Sequence, residues 1–461
     1  MTHAPIEPAS PDAPASVAWY RELNGYHWFV FIVCTLSWMF DCLDQRFFVL
    51  ARGPALKELL GASAGPDEVK WFGSVATALL LIGWATGGLI FGVMGDRIGR
   101  TKTLMTTITV YSVFTGLSAV SVHWWDFCLY RFLTGLGIGG AFAAAVTLIA
   151  EVMPSRARPH ALGLLQAFSA LGNITGSLLG ALLLAKTLHF GWQMLPDGDF
   201  HGWRIMFMVG ALPALLVVVV MLYIKEPESW LAARDAARRA AAEGRKVRLG
   251  SWREMWDDRR WRRNLLVGVA LVTAGAVGLW GIGFWTPELI RDVLANSSDA
   301  HQNRVASIAT ALQDVGAFFG MIAFTALTAR IGRLKAFGIS FLLCFVVVVG
   351  VFGFMTEEWQ IYLFVPWVGF ATLTVFGGYA IYLPELFPTR LRSTGTSLCY
   401  NVARYLTAIG VFTMGFLTLL FNWMGFDQPF RWAACSVAFI FLAGIAVLPF
   451  APETKDKPLP E

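Results

Sequence analysis

Apolar residues in this chain collect into runs of about 20 residues or more, separated by charged or Gly/Pro-marked breaks. A run of that length crosses a hydrocarbon core of about 30 Å as a helix. Of the 461 residues, 56% are hydrophobic and only 15% charged. Soluble chains carry roughly 45–50% and about 25%, so a soluble enzyme is excluded and a polytopic membrane protein is expected. The net charge of +5 follows from basic loops on one side of a membrane and gives no reason to expect a nucleic-acid partner. The six cysteines, Cys34, Cys42, Cys128, Cys344, Cys399 and Cys435, lie in or beside apolar runs and set up no disulfide framework. Residues 1–25 are rich in Pro and Ala, carry Glu7 and Asp12, and lack the basic stretch and short apolar core of a cleaved signal.

Twelve spans are expected, near 26–50, 71–95, 103–122, 127–152, 160–184, 203–224, 264–289, 305–328, 336–355, 360–383, 394–420 and 431–451. An even count puts both termini on one side. The loops after spans 2, 4, 8 and 10 hold Arg97, Arg100 and Lys102; Arg156 and Arg158; Arg330, Arg333 and Lys335; Arg390 and Arg392. Positive charge marks these loops, and hence both termini, as cytoplasmic. The expected organisation is a tail at 1–25, a six-helix bundle at 26–224, a linker at 225–263, a second bundle at 264–451 and a tail at 452–461. The linker is rich in Ala and Arg, which suits amphipathic helices acting either as a solvated connector or as a surface for acidic lipid.

The chain repeats itself. GDRIGRTK (95–102) aligns with TARIGRLK (328–335) at an offset of 233, and AEVMPSRAR (150–158) with PELFPTRLR (384–392) at an offset of 234. Each pair occupies equivalent loops of two six-helix halves. DRIGR and the RFLTGLGIGG of span 4 resemble the signatures of the major facilitator superfamily, and that resemblance extends over the whole chain. PESW (227–230), PELFPTRLRSTG (384–395) and PETKDKPLPE (452–461) look like signatures shared by sugar porters and organic anion and cation transporters. DCLD (41–44) is similar to a motif of bacterial aromatic-acid and sialate proton symporters. The resemblance implies an all-α membrane protein with twelve transmembrane helices in two pseudo-symmetric six-helix bundles. Repeats related by an axis along the membrane normal place the substrate site between the halves, near the midplane.

In that family the loop after span 2 latches the halves in the outward-facing state, a role the resemblance carries to Asp96, Arg97 and Arg100. The second copy has Ala329 in place of Asp96, so its latch is expected to be weaker. Glu151 and Glu385, with Arg156 and Arg390, are the complementary charges expected there. Glycines of span 4 (Gly135, Gly137, Gly139, Gly140) and span 5 (Gly172, Gly176, Gly180) read as packing seams.

Six ionisable residues lie clearly inside the spans: Asp41, Asp44, Arg46, Arg131, Asp314 and Arg404. Each central charge costs at least about 2.5–3.5 kcal/mol and needs a partner or a water-filled cavity. Asp41 and Asp44 are one helical turn apart and share a face; so close a pair holds a proton more readily than a lone carboxylate. In sugar porters the equivalents of Asp44 and Arg131 pair, and protonation releases them. The resemblance therefore implies a proton-coupling group of Asp41, Asp44 and Arg131, with a permanent structural ion pair as the alternative.

Arg404, with Asn401 one turn before it, offers a planar donor fork that matches a carboxylate. Organic anion transporters have an arginine in the similar segment, which points to an anionic substrate; Asp314 could instead neutralise Arg404 internally. Gln166 and Asn173 share a face of span 5, Gln313, Asp314 and Tyr400 are further candidates, and Trp280 and Trp285 could stack on a ring or simply pack. The paired glutamines of sugar-porter span 7 are absent, which weakens the case for a hexose.

No zinc spacing, nucleophile elbow or complete phosphate loop appears, so neither an enzyme nor a metal or organic cofactor is expected. The expected function is symport of a small organic anion, an aromatic or hydroxylated carboxylate, with H⁺ by alternating access. A sugar or polyol carrier, or an H⁺ antiporter exporting a small organic molecule, is the alternative. The expected partners are substrate, H⁺ and the lipid bilayer, with the chain acting as a monomer in a bacterial inner membrane.

Overall fold

The structure, a computed structural model, describes residues 18–61, 64–184, 186–189, 199–243, 248–282 and 285–460. Most of the expected N-terminal tail, residues 1–17, lies outside the described residues. The first half of the chain forms α1 (Gly25–Leu60), α2 (Pro66–Ile98), α3 (Arg100–Ser118), α4 (Trp124–Val152) and α5 (Arg158–Leu183), then a sixth crossing split into α6 (Gly202–Gly210) and α7 (Ala214–Tyr223). Pro213 sits at that break, where its ring and missing N–H interrupt the helical ladder. A two-stranded antiparallel ribbon, β1 (Thr187–His189) and β2 (Asp199–His201), precedes α6. The next stretch carries α8 (Glu228–Ala242) and α9 (Trp252–Asp257).

The second half repeats the plan with α10 (Arg259–Gly281), a short α11 (Thr286–Val293), α12 (Asp299–Ile331), α13 (Arg333–Phe354), α14 (Glu358–Glu385) and α15 (Arg392–Trp423). Its last crossing is again split, into α16 (Pro429–Val437) and α17 (Phe439–Val447). Ten crossings among the described residues are long and apolar enough to span a membrane on composition alone. The two others that complete the expected twelve are α3 and α15, and both turn polar side chains inward. Thr101, Thr103, Thr107 and Thr115 of α3, and Ser393, Thr394, Thr396 and Ser397 of α15, are buried. Helices dominate because a segment in hydrocarbon has to satisfy its backbone hydrogen bonds internally.

Equivalent helices pack alike in the two halves: α2 lies most extensively on α4, and α12 on α14. Lipid supplies no hydrophobic drive between helices, so close backbone approach holds them. A Cβ on Gly87 of α2 would strike the Leu136 carbonyl, and one on Gly139 of α4 the Trp84 carbonyl. The halves meet along two seams, α2 against α15 and α5 against α12. On the face away from the basic loops, Arg204 of α6 is fully buried and clamps Glu58 of α1 at 2.7 Å, while the Trp203 indole donates to the same carboxylate at 2.6 Å.

Candidate functional site

At the face carrying the basic loops, the first half caps a helix of the second. The first N–H groups of a helix lack intrahelical partners and favour an anion. For α15 that anion comes from the opposite half: Asp96 accepts from the N–H of Ser393 at 3.1 Å and of Thr394 at 2.9 Å, and from the Thr394 hydroxyl at 2.7 Å. Arg100 holds Asp96 at 3.1 Å and Glu151 at 2.8 Å, and donates to the Thr389 carbonyl of the second half. Arg392 of the second half reaches Glu151 at 2.8 Å. The halves are thus joined through one buried network of Asp96, Arg100, Glu151 and Arg392, and Arg97 donates to the Leu249 carbonyl from outside it.

The pairing differs from the expected one. Glu151 binds Arg100 and Arg392, whereas Arg156 reaches Glu22 at 3.3 Å. Glu385 binds Arg333 at 2.9 Å, and Arg390 turns to Glu254 of α9 at 2.9 Å. The inward-facing arginines at the starts of α3, α13 and α15 outcompete loop arginines because their side chains are already buried beside the acids. Two capping glutamates are not among the expected site residues, although Glu453 lies in PETKDKPLPE and Glu226 directly precedes PESW. Glu226 accepts from the N–H groups of Thr101 and Lys102, and Glu453 from those of Arg333 and Leu334, at the equivalent helix starts. Burial works against the Glu453 carboxylate, but amide donors including Lys455, Arg333, Leu334 and Thr454 outweigh it and hold it below the usual carboxylate range.

Replacing Asp96 by Ala removes three hydrogen bonds that cross the halves. At a net value of about 1–1.5 kcal/mol each, the joined state loses roughly a hundredfold to a thousandfold in population. Spin labels on cysteines introduced at Lys102 and Lys335, both exposed, should report a longer inter-half distance in Asp96→Ala; an unchanged distribution would remove Asp96 from the latch.

Deeper in the bundle, Asp44 and Arg131 are fully buried and 3.4 Å apart. The Thr115 hydroxyl donates to Asp44 at 2.9 Å, and Arg131 completes its own set through the Ser118 hydroxyl at 2.7 Å and the Phe207 ring at 4.5 Å. Asp41 is equally buried, yet neither carboxylate oxygen has a hydrogen-bond partner. The Asp44 carboxylate and the Tyr111 hydroxyl are its polar neighbours.

Arg404 lies three turns into α15, about 18 Å from its start and so near mid-membrane. Its guanidinium sits 3.4 Å from the ring centre of Trp84 on α2 and 4.8 Å from that of Tyr400, and its Nη1 has no hydrogen-bond partner. Tyr400 in turn stacks on Phe142 at 4.2 Å, and Phe142 packs on Trp38 at 4.8 Å. The internal Arg404–Asp314 pair is not formed: Asp314 binds Arg46 across the halves at 2.6 Å, because α12 presents it to α1. Cys42 lies within electrostatic reach of Asp41, Arg404 and Asp314, so the three charges surround one region.

Around that region buried polar atoms lack partners: the Trp38 and Trp84 indole nitrogens, the Tyr111 hydroxyl, Gln166 Oε1 and Asn401 Oδ1. Asn401 spends its amide hydrogens on Ser397 at 2.9 Å and 3.1 Å, leaving only its carbonyl oxygen. Asn173 and Gln313 are half-buried on α5 and α12. Trp285 is not brought to Arg404; it packs edge-on against Phe430 at 6.0 Å, and half-buried Trp280 packs against the core. The aromatic floor is instead Trp84, one of 19 tryptophans, which only the approach of α2 to α15 distinguishes. Among the described residues no cluster of His, Cys, Asp and Glu could hold a metal ion.

Comparison with known proteins agrees with this architecture. The chain is 29% identical over 438 residues to a probable 4-methylmuconolactone transporter of Cupriavidus pinatubonensis, covering 94% of this chain and 92% of the relative. It is 29% identical over 339 residues to a cis,cis-muconate transport protein of Acinetobacter baylyi, covering 73% and 76%. The structure of the proton:xylose symporter XylE bound to 6-bromo-6-deoxy-D-glucose superposes with a TM-score of 0.72 at 19% identity, covering 94% of this chain and 98% of that one. Residues 28–410, most of the chain, match the model of the Major Facilitator Superfamily, and the chain belongs to this superfamily of membrane transporters.

Proposed function

We propose that this chain is a proton-coupled symporter that carries a small organic anion, an aromatic or hydroxylated carboxylate, across a bacterial inner membrane, working as a monomer with both termini in the cytoplasm. The observation that carries the reading is the unpartnered Nη1 of Arg404 over the Trp84 and Tyr400 rings. A planar carboxylate takes the guanidinium fork, and an attached ring or conjugated chain takes the aromatic floor. The names of the muconolactone and muconate relatives favour the same substrate class.

Charge balance in a low-dielectric interior accounts for coupling. Asp44–Arg131 and Arg46–Asp314 each cancel internally, which leaves Asp41 and Arg404. With neither ligand bound, an ionised Asp41 and Arg404 leave the interior with no net charge. With H⁺ on Asp41 and an anion on Arg404, both are neutralised again. Either ligand alone strands a charge in a site where charges are expensive. The two states without a stranded charge are the ones in which the halves can rock, which gives symport and not exchange of H⁺ for anion. Binding of a panel of carboxylates, sugars and amines, read as a thermal shift of the purified protein, tests the class. Carboxylates alone are expected to stabilise it, more strongly as pH falls; a shift confined to sugars or amines would overturn the reading.

A further inference from the structure

We infer that the cavity between the start of α10 and the C-terminal tail is a site for the phosphate headgroup of an acidic phospholipid. The cavity measures about 1270 Å³ and is lined by Arg259, Arg260, Arg263 and Lys457 together with Asp258, Glu385 and Glu453. Its acids are satisfied within the protein. Glu385 takes Arg333 at 2.9 Å and the Thr454 hydroxyl at 2.6 Å. Glu453 caps α13, and Asp258 accepts from the N–H groups of Arg260 and Trp261 at the head of α10.

Lys457 donates to the Glu453 carbonyl at 2.7 Å, but the arginines are not so satisfied. Arg263 donates only through Nε, to the Phe450 carbonyl at 3.0 Å. Arg260 lies over the Trp261 ring, Arg259 is exposed, and none of the three arginines pairs with a carboxylate among the described residues. Three guanidinium groups with free donor edges around neutralised acids form an anion site, and their fork geometry suits phosphate.

Its position selects lipid over a soluble anion. Arg259 begins a membrane-crossing helix, and the apolar stretch starts at Leu265, six residues or about 9 Å further on. The arginines therefore stand at headgroup depth. Immediately before them α9 exposes Trp252 and Trp256, one turn apart on one side, by 48% and 54%, the amphipathic rings found at membrane interfaces. Basic pockets beside membrane helices on that side take acidic headgroups. The opposite wall is the tail, whose Pro460 carbonyl accepts from Arg392 and whose Pro452 carbonyl accepts from Tyr382. A bound headgroup thus pins the tail against the network that joins the halves.

Thermal unfolding and native mass spectrometry of the full chain in detergent test this with phosphatidylglycerol, phosphatidylcholine and glycerol 1-phosphate. Phosphatidylglycerol is expected to raise Tm and to remain bound. The Arg259→Gln/Arg260→Gln/Arg263→Gln variant should need at least tenfold more of it. Arg253→Gln, with a side chain 91% exposed on α9, should behave as wild type. An equal response of the triple variant, an equal effect of phosphatidylcholine, or a full shift from glycerol 1-phosphate would each overturn the assignment. If the triple variant does not fold, Lys457→Gln and the headgroup comparison on the wild type decide it.

Discussion

Arg404→Ala should lower affinity for every carboxylate substrate by about a hundredfold while leaving the protein folded and its other cation–carboxylate pairs intact. A bidentate guanidinium–carboxylate contact in a desolvated site supplies two charge-assisted hydrogen bonds, worth about 3 kcal/mol together. The residue to be removed forms no ion pair, since Asp314 is bound to Arg46, and an Asp41 left without its counter-charge can take up a proton. Stability should therefore hold or rise, in contrast to the usual cost of breaking a buried pair. Arg404→Lys keeps the charge but loses the planar fork and its fit over Trp84 at 3.4 Å, so it should recover only a small part of the affinity. Isothermal titration or a thermal-shift titration with a bound carboxylate measures this directly. Equal affinity in wild type and Arg404→Ala would remove the anion reading together with the charge-balance argument built on it.

The route from sequence to this site is uneven for physical reasons. Membrane spans were legible because hydrocarbon demands long apolar helices, and the repeat of loop motifs at offsets of 233 and 234 divided them into two halves. Six ionisable groups stood out in the same way, since lipid makes each of them rare, though the pair of buried Arg204 with Glu58 was not among them. Their pairing was not. Whether Asp314 faces Arg404 or Arg46 depends on the rotation of α12 about its own axis and on the tilt of α1, and neither leaves a mark in one helix's residue pattern. Trp84 was hidden for a related reason. Its meaning comes from the approach of α2 to α15, where the Ser397 hydroxyl donates to the Gly88 carbonyl and Asn401 packs on Gly88. The loop acids take other partners than the expected ones, because a helix-start arginine and a loop arginine read alike until burial separates them. Arg100 is fully buried, while Arg156 keeps 39% of its side chain exposed.

The sharpest consequence of the charge balance concerns Asp41. In Asp41→Asn the amide is a permanent stand-in for the protonated acid, so an anion can always be accepted at Arg404 and binding should lose its dependence on pH. The empty state, however, now holds Arg404 without its counter-charge, and the empty halves cannot return cheaply. Exchange of labelled for unlabelled substrate should persist, because it uses only the loaded state. Accumulation driven by a proton gradient should fall to background, at least a hundredfold below wild type. Asp44→Asn is a different experiment: it strands Arg131 in the interior and should destabilise the protein by about 3–5 kcal/mol, so loss of transport there reports folding as well as coupling. The contrast follows from the structure, in which Asp44 has Arg131 and Thr115 as partners while both oxygens of Asp41 have none. Reconstituted vesicles with an imposed pH difference separate the two readouts. If Asp41→Asn still concentrated substrate against its gradient, the proton would have to travel by another residue and the coupling scheme would fall, even with Arg404 secure as the anion site.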